Sequence, residues 1–129
     1  MAPRVCVFCG IIDKSIESKI LFEDHELLAF PDIKPAAKHH YLVVPKRHIK
    51  DVRELNKDNI PLLQRMIELG HKVLEEQGAD IRDSRFGFHW PPFHSISHLH
   101  LHAISPASSM SYISKLVFKP NTLWFVDVS

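Results

Sequence analysis

Residues 98–102 read His-Leu-His-Leu-His, so three imidazoles alternate with apolar side chains. Side chains at alternate positions of a β-strand point to the same face, and this spacing therefore predicts three neighbouring imidazoles with the leucines turned into a core. Imidazole titrates near neutral pH and can serve as a base, a nucleophile or a metal ligand. We therefore predict that residues 97–104 form a strand that carries the chemistry of the protein.

Three interpretations of the alternating histidines are open. They could form a solvated polar face, or they could hold a catalytic zinc ion that keeps one open coordination position. A neutral imidazole could instead attack phosphorus directly and form a covalent bond that water then cleaves. The third interpretation is favoured because the sequence has only four glycines, no Gly-rich phosphate loop and no paired-carboxylate motif for magnesium.

Cys6 and Cys9 form a second group that could do chemistry. With two residues between them, they supply half of a tetrahedral zinc site and are too close in sequence for a disulfide framework. The alternative is that they pack as two small apolar side chains in a short helix. Cysteine usage of this kind is typical of a reducing compartment, and we expect a soluble protein of the cytoplasm, with the nucleus as a second compartment.

Length and charge limit the possible functions. The 129 residues fit one domain, and 16 basic against 15 acidic residues leave a formal net charge of +1. Proteins that bind nucleic acid without specificity usually carry a basic excess, so nucleic acid is not an expected partner. No apolar run approaches the roughly 18–20 residues that span a bilayer, so a membrane partner is not expected either.

The elements that must position these residues follow from hydrophobic patterning and turn residues. A short helix is predicted over residues 7–13, and a long helix begins near Asp58, a possible N-cap, and ends near Glu76 before Gly78. The predicted strands are residues 20–22, 27–30, 40–44, 85–88 and 97–104. Short connections favour an α+β fold, with a five-stranded antiparallel sheet, one long helix and a short N-terminal helix. The aromatic-rich residues 111–129 are expected to pack on this body or to form a dimer contact.

Four segments resemble a known family. Residues 98–104 resemble the signature of the histidine triad family, and residues 6–12, 28–35 and 40–48 resemble other segments of that family in the same order. The loop before the signature is similar to that of aprataxin, a member of the family. The resemblance implies one domain over residues 1–129, with a core at about 5–106 and a tail at 107–129, and members commonly form homodimers.

The resemblance also implies a reaction. The family transfers a nucleoside monophosphate to the central histidine and then to water, without a cofactor in the chemistry. For this chain it implies a hydrolase of the adenosine 5'-monophosphoramidase type, which acts on phosphoramidates and aminoacyl adenylates such as lysyl-AMP and releases AMP. The alternatives are deadenylation of nucleic-acid ends, as in aprataxin, a nucleotide-binding regulatory module, and a metallohydrolase.

The catalytic roles implied by the resemblance fall on four histidines. His100 matches the nucleophile, and His102 matches the histidine that contacts the phosphate and assists the leaving group. His40 would brace this group, and His98 is the first histidine of the triad. Some members complete a structural zinc site with two cysteines and two histidines, which correspond here to Cys6, Cys9, His48 and His98.

The resemblance assigns five residues to a purine nucleotide substrate. Asp32 would bind the ribose hydroxyls, although it could be a plain turn residue between two prolines. Phe30 and Ile33 would enclose the base, although core residues would look the same in sequence. Ser95 would lie near the scissile bond, with a turn serine as the alternative, and His89 would lie near the phosphate, with a structural role as the alternative.

Overall fold

An antiparallel sheet and three helices form the chain in the computed structural model, which describes residues 6–91 and 96–128. The strands are β1 (Phe22–Glu23), β2 (Leu27–Pro31), β3 (His39–Pro45), β4 (Arg85–His89), β5 (Leu101–Ser105) and β6 (Phe125–Asp127). The helices are α1 (Val7–Ile12), α2 (Ile60–Glu76) and α3 (Tyr112–Val117), and short 3-10 turns lie at Val52–Glu54, Lys57–Asn59, Ile81–Asp83 and Ala107–Ser109.

The sheet has six strands in the order β1-β2-β3-β5-β4-β6, and every neighbouring pair is antiparallel. The predicted α+β class is confirmed, but the predicted number of five strands is wrong. The additional strand is β6, whose three residues are too few to give a readable alternation in the sequence. It pairs with β4 and covers that side of the sheet.

Helix α2 covers one face of the sheet. Its buried side includes Met66, Val73 and Leu74, which pack in one cluster with Val43 of β3 and Leu101 of β5. Asp58 is not the N-cap of this helix, because it lies inside the preceding 3-10 turn and Asn59 occupies the cap position. The helix therefore begins one residue later than predicted. It ends as predicted before Gly78, whose φ of +82° favours glycine.

The opposite face of the sheet packs against α1. Phe8 and Ile11 of the helix join Phe30 of β2 and Leu42 of β3 in a second cluster. The pairing of β3 with β5 sets Leu42 opposite His102, and His40 lies on the same face two residues earlier. Pairing across these two strands therefore brings histidines 62 positions apart in sequence into contact.

Strand β5 begins at Leu101 and not at Ser97 as the alternation predicts. His98 and His100 precede the strand, because the Leu99 N–H donates to the carbonyl of Ile49, in the loop that follows β3, at 2.7 Å. Leu99 is buried in the α2-side cluster together with Leu101, as the alternation predicted. The predicted strand is thus wrong in its first half, although its inward-facing residues are correct.

The C-terminal segment packs back on the sheet. Phe118 and Phe125 are buried with Ile104 and Met110 in a third cluster, which confirms that the described part of the C-terminal segment packs on the body of the domain. Strand β6 approaches Gly87 so closely that a Cβ there would lie 2.4 Å from the Phe125 ring. Among the described residues, no helix combines the length and apolarity needed to cross a bilayer.

Candidate active site and candidate metal centre

Three buried imidazoles meet beside β5. His40, His100 and His102 expose 3%, 6% and 5% of their surface, and the His102 ring centroid lies 5.0 Å from that of His100 and 5.2 Å from that of His40. Asp32 lies at the edge of the group, with Oδ2 3.4 Å from His40 Nε2. The structure therefore brings together three of the four histidines predicted to be catalytic, while the ring of the fourth, His98, lies in a separate cluster with the cysteines.

The tautomer of His100 follows from one hydrogen bond. Its Nδ1 lies 2.6 Å from the backbone carbonyl of His98. A carbonyl can only accept, so Nδ1 carries the proton and Nε2 holds the lone pair. His100 thus keeps an unprotonated nitrogen, which is what a nucleophile requires.

A second chain of hydrogen bonds fixes the tautomer of His102. The Ala36 N–H donates to His40 Nδ1 at 2.9 Å, so the proton of His40 lies on Nε2. That nitrogen is 2.9 Å from His102 Nδ1, which must accept, and the proton of His102 therefore lies on its Nε2. His102 Nε2 is buried without a hydrogen-bond partner among the described residues. An unused buried donor of this kind is suited to an anionic ligand.

Burial keeps these rings neutral. Desolvation lowers the pKa of His100 to about 4 and that of His40 to about 3, and it lowers the pKa of His102 well below its usual range. Desolvation also raises the pKa of Asp32, although the Lys34 N–H opposes the shift. At neutral pH the group therefore presents a lone pair on His100 and a donor on His102.

The predicted substrate-binding residues lie in different environments. Asp32 Oδ1 accepts from the Lys34 N–H at 2.8 Å, which forms the turn, while its other oxygen lies near the imidazoles. Phe30 is buried against Phe8, and Ile33 is 92% exposed. Ser95 lies outside the described residues.

Phe118 is a residue of this site that sequence reasoning missed. Its ring centroid lies 5.0 Å from that of His102, 5.4 Å from that of His40 and 5.0 Å from that of His89. The only sequence signal was the aromatic content of the C-terminal tail, which did not indicate which ring would reach the histidines. Phe118 forms an apolar wall beside the His102 ring.

Side chains cap the end of α3 and hold this wall in place. The carbonyls of residues 116–118 accept in turn from Trp124 Nε1 at 3.0 Å, His89 Nε2 at 3.0 Å and Arg85 Nη1 at 2.6 Å. Helix ends leave such carbonyls without intrahelical partners, and these three donors satisfy them. His89 therefore binds the C-terminal segment, while its ring lies 5.0 Å from that of His102.

The four residues predicted as metal ligands also converge. One ligand atom from each of Cys6, Cys9, His48 and His98 lies within 4.8 Å of all the others. His98 Nδ1 is 3.3 Å from Cys6 Sγ and 3.1 Å from His48 Nδ1, and Cys9 Sγ is 3.2 Å from His48 Nδ1. Edges of a zinc tetrahedron with these ligands are about 3.3–3.8 Å, so the ligand atoms stand close to that geometry.

A contact outside the cluster prepares His98 for a metal. Its Nε2 lies 2.8 Å from the Pro45 carbonyl, so Nε2 carries the proton and Nδ1 presents a lone pair to the cysteines. The donor set and its outer contact therefore fit a closed zinc site. His98 also connects the two sites, because its backbone carbonyl accepts from His100.

Comparisons with known proteins identify the family of the chain. Residues 5–117 match a family model described as scavenger mRNA decapping enzyme C-term binding. The adenosine 5'-monophosphoramidase HINT3 of Mus musculus is 48% identical over 126 residues, which cover 95% of this chain and 76% of the relative. The chain belongs to the histidine triad family. Its HINT3 relative from Xenopus tropicalis is 44% identical over 94% of this chain and 80% of the relative.

Solved histidine triad structures share the fold. A HIT family hydrolase from Clostridium thermocellum superposes with a TM-score of 0.74 at 34% identity, over 80% of this chain and 91% of that chain. The family and the hydrolase class predicted from sequence are therefore confirmed.

Proposed function

We propose that this protein cleaves adenosine 5'-monophosphoramidates and aminoacyl adenylates such as lysyl-AMP, and that it releases AMP through a nucleotidyl–His100 intermediate. The observation that carries the proposal is the bond from His100 Nδ1 to the His98 carbonyl, which leaves the lone pair on Nε2. The names of the HINT3 relatives, which are adenosine 5'-monophosphoramidases, support the substrate class.

In the first step, the lone pair of His100 Nε2 attacks the α-phosphorus. A P–N bond forms to the ring as the bond from phosphorus to the leaving group breaks. The amine of a phosphoramidate takes up one proton from solvent as it leaves, whereas lysyl-AMP releases the lysine carboxylate, which needs no proton. The positive charge that develops on the His100 ring is stabilised by the His98 carbonyl at Nδ1. The Nε2–H of His102 donates to a phosphoryl oxygen, where negative charge grows.

In the second step, water attacks the same phosphorus. The P–Nε2 bond breaks, its electron pair returns to His100, and the water releases one proton as AMP leaves. The two steps together consume one water and return the enzyme to its starting tautomers. Splitting the hydrolysis in this way replaces one difficult displacement by two easier ones.

The test is brief incubation with lysyl-AMP, rapid quenching and measurement of intact mass. We expect a transient adduct of one AMP in the wild-type protein and none in the folded His100→Ala variant. His25→Ala is the matched control, because His25 is exposed and distant in sequence from the cluster. Steady turnover without an adduct at any quench time, or an adduct that persists in His100→Ala, would contradict the proposal.

We also propose that Cys6, Cys9, His48 and His98 hold a structural zinc ion. The proposal rests on the convergence of the four ligand atoms and on the Pro45 contact that prepares His98. When bound, the metal would tie α1 to the segment before β5. The hydrolysis itself uses the imidazoles and water.

The assembly and location are further parts of the proposal. We propose a homodimer in the cytoplasm and the nucleus, with a purine nucleotide as the substrate. Exposure of large apolar side chains, at 73% for Ile113 and 85% for Leu123, supports a protein contact near the C-terminus. Sedimentation velocity at micromolar concentration tests the assembly, and a monomer there would contradict it.

A further inference from the structure

A cleft of the described chain lies away from the imidazoles. It has a volume of about 530 Å³ and lies between the Ala107–Ser109 turn, α3 and the beginning of β4. Clefts that hold small molecules in proteins have volumes of roughly 300–1,000 Å³. The cleft is therefore large enough for a ligand, and neither the histidines nor the cysteines line it.

Positive charge dominates the lining of this cleft. Arg85, Lys115 and Lys119 line it, and none of them forms an ion pair with a described carboxylate. Asp83 is the one acidic residue among the lining side chains, and Ser108 occupies both of its oxygens, through the backbone N–H at 3.0 Å and through the hydroxyl. Three cations against one carboxylate leave the lining with a net charge of +2, which attracts an anion more strongly than the formal charge of +1 of the whole chain suggests.

Arg85 is held in position before any ligand arrives. The residue is half-buried, and its Nη1 donates to the Phe118 carbonyl at 2.6 Å. A guanidinium has five donors in a fixed plane, so most of them are left for a ligand after this bond. A fixed planar donor group suits phosphate or sulfate oxygens, which it can bind through two parallel hydrogen bonds.

Apolar surface adjoins the cations. Tyr112 and Leu116 line the cleft and expose 88% and 51% of their surface. We propose that Arg85, Lys115 and Lys119 form a second binding site, separate from the imidazoles, for a small molecule that carries several phosphate or sulfate groups. This site is independent of the proposed hydrolysis.

Calorimetric titration with inorganic tripolyphosphate at physiological salt tests the site. We expect saturable binding to the wild-type protein and at least tenfold weaker binding to the double variant Lys115→Ser/Lys119→Ser. The matched control is Lys19→Ser/Lys57→Ser, which removes two exposed lysines outside the cleft and should bind like the wild-type protein. His102→Ala should keep an affinity close to that of the wild-type protein, because His102 does not line the cleft.

Absence of saturable binding to the wild-type protein would overturn the proposal, and two further results would do so. One is equal loss of affinity in both lysine double variants, which would indicate a non-specific charge effect. The other is loss of binding in His102→Ala with full binding in Lys115→Ser/Lys119→Ser, which would place the anion at the imidazoles. Failure of the proposed hydrolysis would leave all of these titrations unchanged, so the two proposals can fail separately.

Discussion

At the scale of single residues, the site depends on where each proton resides. Backbone groups fix the tautomers of two of these rings, because the His98 carbonyl accepts from His100 and the Ala36 N–H donates to His40. The result is one lone pair and one donor on adjacent rings. No charged imidazole is needed to set up this pair, which suits rings that burial keeps neutral.

The unused donor of His102 gives the first prediction. His102→Ala should lower kcat by about 10²-fold or more, because it removes a donor to the charge that develops on the phosphoryl group. The AMP adduct on His100 should still form, only more slowly, in single-turnover measurements of intact mass. His25→Ala should keep the wild-type kcat, and an unchanged kcat in His102→Ala would contradict the role.

The buried ring of His40 gives a prediction for pH dependence. Its pKa is about 3 in the folded chain and about 6.5 when unfolded, so between these values the unfolded chain binds a proton that the folded chain does not. The contribution of His40 to the free energy of unfolding should therefore be complete above about pH 6.5. Below that pH it should fall by up to about 1.4 kcal/mol per pH unit.

Urea unfolding at pH 7 and pH 5, with a chelator present throughout, measures this effect. The other buried histidines act in the same direction, so the contribution of His40 is the difference between the wild-type protein and His40→Gln. We expect the variant to lose less stability than the wild-type protein over this interval. An equal loss in both proteins would show that His40 does not titrate as its burial requires.

At the scale of elements, the candidate metal centre connects α1 to the segment before β5. Cys6 caps the helix, and its thiol accepts from the Cys9 N–H at 3.3 Å. Phe8 of the same helix packs against His100, with ring centroids 5.0 Å apart. A metal at these residues would therefore hold both the helix and the backbone that orients the nucleophile.

His48 offers the least disruptive test of this connection, because it is the exposed ligand. His48→Ala should bind zinc at least tenfold more weakly, whereas His25→Ala should retain about one zinc per chain by elemental analysis. A chelator should lower the Tm of the wild-type protein and leave that of His48→Ala almost unchanged. Absence of zinc from both the wild-type protein and His25→Ala after purification with zinc would contradict the site.

Helix α3 carries the wall over the imidazoles. Phe118→Ala should lower the free energy of unfolding by about 3–5 kcal/mol, because it removes a buried ring from the third cluster. It should also lower kcat more than Phe118→Leu, which keeps an apolar side chain against His102. His25→Ala, at an exposed position away from this helix, is the control for urea unfolding and kcat. Equal kcat in the two Phe118 variants would mean that the wall has no effect on the chemistry.

The sequence predicted the elements with a clear period and missed those without one. The alternation at residues 98–102 identified the correct face, because Leu99 and Leu101 are buried beneath α2. The alternation could not show where β5 begins, because the Leu99 N–H donates to the carbonyl of Ile49 in a loop. The contacts of Phe118 and Arg85 depend on how the C-terminal segment folds back, which no local pattern encodes.

At the scale of the whole molecule, β6 completes the sheet. The proposed homodimer could form by joining two sheets edge to edge, and here β6 occupies the outer side of β4. The edges of the sheet are strands of two and three residues, β1 and β6. A dimer built by sheet extension would therefore have to use one of these short edges.

Gly87 provides a test of this arrangement. A Cβ at this position would lie 2.4 Å from both the Phe125 ring and the Val126 carbonyl, so Gly87→Ala should force β6 away from β4. We expect a loss of roughly 1–3 kcal/mol in urea unfolding, the usual cost of overpacking. Hydrogen exchange should become faster in residues 125–127. Gly78→Ala is unsuitable as a control because of its positive φ, whereas Ser18→Ala in an irregular segment is suitable. Unchanged stability of Gly87→Ala would contradict the placement of β6.

The bond between Trp124 and the Leu116 carbonyl gives the protein an optical reporter. The chain has only two tryptophans, Trp90 and Trp124, and the second sits on the segment that bears Phe118. In a Trp90→Phe background, the emission wavelength of the remaining indole would follow the polarity around that segment. Stopped-flow fluorescence could then record, without an attached dye, whether the segment that carries Phe118 moves when a nucleotide binds and returns when AMP dissociates.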